Sequence, residues 1–470
     1  MSSHSSAGEP PPPLVGIPFL HSIEHFVHSL YEKNGVRIPV APVMTIFVGA
    51  VIFFFLVSPA QTARNFELVV FLSPIWLPVI LGKVAWGSWI QARRFEWGLK
   101  QKWVLLEIKM PRDTRKSPLS MEAFFANIHL SPGEGTWYKK FWLGRTRPWY
   151  SLELVSIGGR VHFYIYTRVV FRHIIETYLY SQYPGIAVVE ATDYTRLIDP
   201  THPPYQMWGC EYGKKQPDPA PIKTYVDFQL DKIPVAKPEE TTDPLSQVVE
   251  FLGSLSPNEQ LWIHLIIRYS KGEKYGWYKP NGKRYTWVDH GQEIIEQIRS
   301  QTVKKVYYTD IVTGEKRESE GFPNPTKGQQ EAMAAIGSNT SKLCFDVGMR
   351  AVYIAKEGHF RDYIGNFVTQ IFRPFSNNDQ EITPLPLWSE EFNDFPWEDP
   401  GKVRYNMEMH HLLEFARRRS YYHYPYIGPW TQMSTTELAT LFHVPSSSVT
   451  APNLPRIQST TLEAPSNLPT

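Results

Sequence analysis

The chain has 470 residues, enough for about three domains of ordinary size, and its 48 Lys and Arg against 46 Asp and Glu leave a formal net charge of +2. This near balance excludes a protein that is basic over its whole surface, although local basic patches remain open. Two cysteines, Cys210 and Cys344, are too few for a disulfide framework or a four-thiolate metal site.

Two apolar runs near the N-terminus predict a membrane anchor. Residues 1–38 are first polar and proline-rich and then amphipathic, and they lack the pattern of a signal peptide. Val40–Val57 contains no charged residue, and a second apolar run starts at Leu68. At 1.5 Å per residue, each run covers most of a ~30 Å hydrocarbon core. We therefore predict two transmembrane helices in residues 39–92, joined by a short loop at Ser58–Glu67.

The charges that flank these runs predict their orientation. Lys33 and Arg37 precede the first run, and Arg93 and Arg94 follow the second, whereas the loop between the runs contains Arg64 as its only basic residue. Basic residues favour the cytoplasmic side of a membrane. We expect a multi-pass protein of the cell (inner) membrane, with both termini and the soluble domains in the cytoplasm.

The residues after the hairpin, 93–200, alternate between strand and helix patterns. Alternating apolar residues predict the strands, and Gly158-Gly159 predicts a hairpin turn. The order is strand, helix, strand, strand, helix, strand, which is that of the ferredoxin-like unit. The predicted elements are the strand Trp103–Met110, the helix Ser117–Leu130, the strands Trp149–Ser156 and Val161–Thr167, the helix Phe171–Gln182 and the strand Ile186–Ala191.

A similar pattern recurs in residues 244–375, after a proline-rich linker at 201–243. Two pairs of segments echo each other, SPLSMEAF with DPLSQVVEF and SIGGRVHFYIYTR with DVGMRAVYIAKEG. We therefore predict an α/β (α+β) chain with two ferredoxin-like units, and one irregular α/β domain is the alternative. The predicted elements are the strand Thr224–Leu230, a helix from Asp243 to Leu255, the strands Leu261–Arg268, Lys342–Phe345 and Ala351–Ala355, the helix Phe360–Thr369 and a closing strand at Gln370–Pro374.

The second unit carries a long insertion, residues 269–341, which opens its central hairpin. The insertion predicts a hairpin around Pro280–Gly282 and two helices, near Gln292–Arg299 and Gly328–Ile336. Beyond the unit, residues 376–445 contain an acidic, aromatic stretch and then a helix, Val403–Arg419. The last residues, 446–470, are rich in Ser, Thr and Pro, and this composition predicts a disordered tail.

Catalytic and metal-binding patterns are weak. A phosphate-binding loop would need a hydroxyl residue after Gly282-Lys283, but Arg284 occupies that position. His21, His25 and His28 share a helical face, yet no acid or cysteine completes a metal site, and an interfacial helix explains them better. The acidic residues Glu390, Glu391, Asp394, Glu398 and Asp399 are typical of a solvated surface. We expect no enzyme activity, no cofactor and no metal site in this chain.

Two stretches interleave basic and aromatic residues, which can neutralise phosphates and stack on bases. The same residue types also contact lipid headgroups and proteins. Single-stranded nucleic acid, lipid and protein therefore remain open as partners. The candidate contact residues are Trp137, Lys139, Lys140 and Arg145 in the first stretch, and Lys271, Lys274, Trp277, Tyr278, Lys279, Lys283, Arg284 and Trp287 in the second.

The segment Phe395–Ile457 resembles the region that precedes the motor domain in membrane-anchored coupling-type ATPases of bacterial type IV secretion. It contains an RRRS helix ending and the motif TELATLFH at Thr436–His443. The resemblance implies a membrane-tethered platform whose partner is a motor ATPase. Because the chain ends where such relatives begin their motor, no ATPase activity is carried over. Docking of the motor is expected at Glu437, Leu438, Leu441 and Phe442.

The main hypothesis is a non-catalytic, membrane-anchored component of a type IV secretion or conjugation-like DNA-transfer apparatus, which positions a separate motor ATPase. Expected partners are the bacterial membrane, the motor or other apparatus subunits, single-stranded DNA and further copies of the chain. The alternative is a membrane-attached protein that binds single-stranded nucleic acid without a motor. A membrane enzyme is a third class, but it needs a catalytic cluster that the sequence does not offer.

Overall fold

A computed structural model describes residues 49, 53–111, 116–130, 133–198, 205–232, 243–272, 274, 285–309, 316–377, 379–385, 401–423, 425–445 and 456–457. The chain divides into two compact units. The first contains Met1–Ala92 and Gly272–Tyr285, and the second contains Arg93–Lys271 and Thr286–Thr470.

The described residues of the N-terminal region are mostly helical. Helix α1 covers Pro59–Phe71 and helix α2 covers Ser73–Leu99, which ends inside the second unit. The predicted loop at Ser58–Glu67 is therefore wrong. Pro59 occupies the first helical position, where its missing N–H is not needed, and the residues that follow include no glycine, so that the helix continues to the break at Leu72.

The described N-terminal helices differ in length and shape from the two predicted membrane spans. In this part of the structure, no single helix is both long and apolar enough to cross a membrane. Pro59–Leu68 and Ser73–Leu99 together reach the necessary length and composition, but they are bent by 64° at the break between them. Most of the other predicted span, Val40–Val57, lies outside the described residues.

The second unit is built around one large antiparallel sheet. The strands are β1 Trp103–Pro111, β2 Trp149–Ile157, β3 Arg160–Arg168, β4 Ala187–Ala191, β5 Tyr205–Lys214, β6 Glu259–Tyr269, β7 Val303–Thr309, β8 Lys316–Pro323, β9 Cys344–Lys356, β10 Ile382–Pro384, β11 Tyr422–His423, β12 Tyr426–Ile427, β13 Thr431–Ser434 and β14 Arg456–Ile457. The helices are α3 Leu119–Ile128, α4 Arg172–Gln182, α5 Pro244–Gly253, α6 Trp287–Gln301, α7 Lys327–Thr340, α8 Asp362–Thr369, α9 Val403–Arg417 and α10 Thr435–Leu441.

Ten strands of the described chain form this sheet, and its central order is β10-β5-β9-β6-β2-β3-β1, with β4 and β14 both on β1 and β13 on β9. The first half therefore reads β4-β1-β3-β2 and the second reads β10-β5-β9-β6. In each half the elements follow the order strand, helix, strand, strand, helix, strand, and in the second half α6, β7, β8 and α7 are inserted between β6 and β9. The halves join edge to edge because β2 pairs with β6 along the whole length of β2, from Trp149 opposite Arg268 to Ile157 opposite Gln260.

Four predicted elements of the second half are wrong. Its first strand is β5, which lies inside the predicted linker, and Thr224–Leu230 is a run of turns. The two predicted strands at Lys342–Phe345 and Ala351–Ala355 are parts of the single strand β9, because its intervening residues continue the ladder with β6. The sheet is closed by β10 and not by Gln370–Pro374, which precedes and enters a short 3-10 turn.

The insertion and the tail differ from prediction in smaller ways. Both predicted helices of the insertion are present as α6 and α7, and the hairpin β7–β8 lies between them. The predicted hairpin at Pro280–Gly282 lies outside the described residues. In the predicted disordered tail, Arg456 and Ile457 pair in parallel with the end of β1. The other tail residues also lie outside the described part of the chain.

Both faces of the sheet are covered. Helices α3, α4, α5, α8 and α10 pack on one face, where they form the larger apolar core. Helix α9 and the turn Tyr194–Leu197 pack on the other face through residues such as Met409 and Leu412. We call the face under α9 the α9 face. The predicted helix Val403–Arg419 is thus a structural layer of the sheet.

Candidate functional site

The first basic-aromatic stretch forms a compact surface insert. Residues 133–148, which we call the aromatic insert, connect α3 to β2, and Tyr138–Trp142 within it form a π-helical turn. The turn begins where the backbone N–H of Lys139 donates to the hydroxyl of Thr136 at 3.3 Å. The large rings remain at the surface, with exposed fractions of 60% for Trp137, 54% for Tyr138 and 47% for Trp142.

The aromatic insert is fixed to the last turns of α2. Arg93 donates from Nε to the backbone oxygen of Trp142 at 3.0 Å. Gly144 lies against the same turn with a φ of +64°, and a Cβ at this position would overlap the carbonyl oxygen of Arg93. Only glycine combines this backbone angle with this close approach. The insert therefore has a fixed place at the C-terminal end of α2.

The structure brings together only some of the predicted contact residues. Trp137, Lys139, Lys140 and Arg145 share the aromatic insert, where Lys140 is half-buried and its Nζ lies 5.3 Å from the ring centre of Phe141. Lys271 approaches the same region, with its Nζ 3.5 Å from the carboxylate of Glu134. Lys274 is exposed and belongs to the first unit. Trp277, Tyr278, Lys279, Lys283 and Arg284 lie outside the described residues.

Trp287 is not a surface contact, contrary to prediction. It opens α6 with 5% of its surface exposed, and Nζ of Lys214 lies 5.9 Å from its ring centre. Its ring is buried at the first residue of α6, directly after Thr286, which caps the helix. A base could not stack on it without unpacking α6.

The predicted motor-docking residues are also buried. Leu438 and Phe442 have no exposed surface and Leu441 has 1%, because α10 packs into the core beside α3. Glu437 closes a capping box with Ser434, and its carboxylate lies 2.6 Å from Nζ of Lys214, where both side chains are fully buried. The prediction of exposed docking anchors is therefore wrong, since these four side chains hold the fold together.

The α9 face carries a row of ionisable residues that the sequence reading missed. Cross-strand register aligns one such residue from each of six neighbouring strands. In the sequence, each of these residues lies between apolar neighbours. A single ionisable residue in the middle of an apolar strand is therefore the feature from which the row could have been predicted. The row consists of Glu107, Tyr164, Glu153, His264, Arg350 and Glu211.

The centre of this row is a closed hydrogen-bond network. Arg419, which follows α9, donates to Glu153 at 3.0 Å and to Asp193 at 2.7 and 3.0 Å. The hydroxyl of Tyr194 donates to Glu153 at 2.7 Å and lies 2.7 Å from Nε2 of His264. Burial raises the pKa of the Glu153 carboxyl, but the charge of Arg419 and the hydrogen bonds from Arg419 and Tyr194, together with its other polar neighbours, bring that pKa below its ordinary value.

Burial has the opposite consequence for His264. Burial is the main cause that lowers the pKa of its imidazole to about 4, although the nearby Glu153 carboxylate opposes the shift. The ring is therefore neutral near pH 7. Nδ1 has no hydrogen-bond partner among the described residues, which fits a neutral ring with its proton on Nε2.

A cavity of about 580 Å³ opens beside this network. The carboxylate of Asp193 in its wall is already held by Arg419, and Arg417 is fixed by donating from Nε to the backbone oxygen of Thr195 at 3.2 Å. The guanidinium groups of the wall are engaged as well, Arg196 by Asp193 at 3.9 Å, and Arg417 and Arg418 by Glu414 at 3.0 and 3.3 Å. The lining residues are Tyr166, Asp193, Thr195, Arg196, Ile198, Arg417 and Arg418.

Metal ligands are not clustered in the described residues, where no group of three or more His, Cys, Asp and Glu side chains could hold an ion. The His21, His25 and His28 face and the acidic residues Glu390 to Asp399 lie outside them. His443 and Asp243 do meet, at 3.0 Å, but as a buried pair beside α5.

Comparison with known proteins does not assign the chain to a family. No protein-family model matches the chain, and a search of curated proteins finds no match. The resemblance of Phe395–Ile457 to coupling-type ATPases therefore stays a prediction. The function is inferred from the residues and the geometry of the chain itself.

Proposed function

We propose that this chain is a non-catalytic, membrane-anchored scaffold of a DNA-transfer apparatus of the type IV secretion or conjugation kind. It lies in the cell (inner) membrane, with its sheet in the cytoplasm, and positions a separate motor ATPase. The observation that carries the membrane part is the apolar surface of α2. The motor part rests on the resemblance of Phe395–Ile457.

Helix α2 supports the anchor because many of its described apolar side chains are exposed. None of its described side chains is buried, and Ile75 remains 71% exposed. Neighbouring apolar residues on α1 and α2 are exposed in the same way, including Phe71, Leu81 and Val84. Exposed apolar side chains in this number are typical of contact with lipid or protein. Burying each such side chain is worth ~1.5–3 kcal/mol.

The sheet supports a scaffold role because its two halves form one continuous layer. We infer that they are two ferredoxin-like units that derive from one repeated unit, since each has the same strand order. The segment of the motor resemblance contributes α9 to one face and α10 to the other. It is thus part of the scaffold, and the motor would contact the assembled surface, not the buried motif Thr436–His443.

Alkaline carbonate washing of membranes tests the anchor. The wild-type chain should stay with the membranes, and the triple variant Leu77→Asn, Ile80→Asn, Val84→Asn should be released at least in part. A control variant with Leu119→Asn, Val170→Asn and Leu197→Asn changes exposed apolar residues of the second unit and should stay bound. Recovery of the wild-type chain in the wash would overturn the proposal.

The alternative function, binding of single-stranded nucleic acid without a motor, is favoured by the exposed rings and cations of the aromatic insert. Base stacking on rings such as Trp137 contributes ~1–3 kcal/mol per base. The full chain in detergent would then bind a fluorescent oligothymidylate, and higher salt would weaken the binding. Absence of binding at low salt would remove this alternative.

A further inference from the structure

We propose that the aromatic insert binds anionic lipid headgroups at the membrane surface. This inference rests on the membrane anchor proposed above and gives the insert a partner of defined chemistry. Three large rings are exposed within six residues of chain, at Trp137, Tyr138 and Trp142. Tryptophan and tyrosine are enriched at the level of lipid headgroups because they combine an apolar ring with a polar group.

The place of the insert on α2 supports this partner. The insert contacts α2 at Arg93, through the hydrogen bond to Trp142 and the close approach of Gly144. Trp89, near the end of the apolar part of the helix, precedes Arg93 by four residues, or about 6 Å along a helix. If the apolar part of α2 lies in lipid, the insert is held at the depth where headgroups begin.

The charge of the insert selects anionic lipids. Lys139 and Arg145 are exposed on it, and Lys140 lies between them. Two carboxylates of this region are already engaged by cations. Glu134 lies 3.2 Å from Nε of Arg147 and 3.5 Å from Nζ of Lys271.

The second of these carboxylates, Glu96 on α2, accepts from Arg93 at 2.5 Å and from Lys100 at 2.8 Å. The exposed cations are thus not neutralised by these two acids. Basic residues next to a membrane helix bind acidic headgroups by electrostatic attraction. Exposed rings and cations at one depth therefore fit an anionic bilayer surface.

The test uses the full chain in vesicles, with Cys210 and Cys344 changed to Ala and an environment-sensitive fluorophore on Tyr138→Cys. Tyr180→Cys on α4 is the control site, because it is also an exposed tyrosine of the second unit. The vesicles contain either phosphatidylcholine alone or phosphatidylcholine with phosphatidylglycerol at 3:1. Bromine atoms near the headgroups of the same lipids serve as quenchers.

We expect quenching at position 138 to be at least twice that at position 180 in the anionic vesicles. It should fall toward the control in neutral vesicles and in the variant Lys139→Gln, Lys140→Gln, Arg145→Gln. Equal quenching at the two positions in anionic vesicles, with the chain floating with the vesicles, would overturn the inference and leave the anchor intact. If the chain does not float with the vesicles, both proposals fail.

An added oligothymidylate separates lipid from nucleic acid. If lipid is the partner, the oligonucleotide leaves the spectrum of the fluorophore at 138 unchanged. A spectral change with the oligonucleotide, together with no lipid quenching, would assign the insert to nucleic acid and reject the lipid surface.

Discussion

Arg419 and Glu153 are separated by 266 residues in the chain and form an ion pair in which both side chains are fully buried, with Nε of Arg419 3.0 Å from Oε1 of Glu153. Arg419 has a left-handed backbone angle, φ +49°, that is uncommon outside glycine, asparagine and aspartate. The pair joins the segment after α9 to β2 in the middle of the sheet. The ion pair therefore attaches the segment after α9 to the sheet.

Arg419→Met should therefore destabilise the protein strongly, because Glu153 would stay buried without its partner. Loss of one member of a buried pair typically costs ~3–5 kcal/mol of the free energy of unfolding. The matched control is Arg418→Met, since Arg418 is largely exposed and lies 3.3 Å from Glu414. The control should change the free energy by less than ~1 kcal/mol. Chemical denaturation of the full chain in mild detergent measures both, and equal effects would contradict the account.

His264 should make the fold sensitive to mild acid. The pKa of its ring is about 4 in the folded protein and ~6.5 in the unfolded chain, so between these pH values the unfolded chain binds the extra proton. The free energy of unfolding should then fall, by up to roughly 3 kcal/mol, as the pH decreases from ~6.5 to about 4.

His264→Gln tests this source of the pH dependence, because an amide can still donate to Tyr194 but does not titrate. The slope of stability against pH between ~6.5 and about 4 should become flatter in denaturation curves. His173→Gln on α4 changes an exposed histidine and should leave the slope as in the wild type. An unchanged slope in His264→Gln would show that the ring is not held neutral by burial.

Gly144→Ala should loosen the aromatic insert. The new Cβ would meet the carbonyl oxygen of Arg93, and the positive φ adds strain of ~1–2 kcal/mol. The backbone amides of Leu143 and Arg145, which donate within the insert, should exchange hydrogen roughly 5–100 times faster. Gly135→Ala is the control, because a Cβ there has open space. Equal exchange in both variants would contradict the docking of the insert on α2.

Leu438→Ala should act on folding and not on a partner. Removal of a buried leucine side chain typically costs ~2–5 kcal/mol. Leu119→Ala, at an exposed position of α3, should cost about 0.5 kcal/mol or less. Thermal unfolding of the two variants distinguishes a structural role of Leu438 from a role in docking a partner. Unchanged stability of Leu438→Ala, with loss of a protein that co-purifies with the wild type, would restore the docking hypothesis.

The sequence allowed much of the sheet to be predicted, because its strands have strong apolar periodicity and clear turns. The turn at Gly158 and Gly159, where φ is +59° and +81°, marks the β2–β3 hairpin in the sequence and in the structure. β5 was missed because it has mixed composition and stands among prolines. Its place between β9 and β10 depends on partners more than 130 residues away.

Burial of the docking motif could not be read from the sequence for a related reason. TELATLFH has the polar and apolar mixture of a surface helix, and its acidic member Glu437 can be buried because Lys214, Asn339 and the backbone amides of Ile222 and Ser434 contact its carboxylate. Such pairing depends on tertiary structure. The row of ionisable residues on the α9 face could have been suspected, since single charges such as Glu153 interrupt otherwise apolar strands.

The central claim is that this chain anchors a motor and hydrolyses no nucleotide itself. The most direct measurement is ATP hydrolysis by the full chain, purified once alone and once together with the proteins that co-extract from its own membranes in mild detergent. The account predicts no turnover by the chain alone, and turnover in the co-extracted complex that tracks a second polypeptide with a phosphate-binding loop. Turnover by the chain alone, or a complex without such a polypeptide, would contradict it.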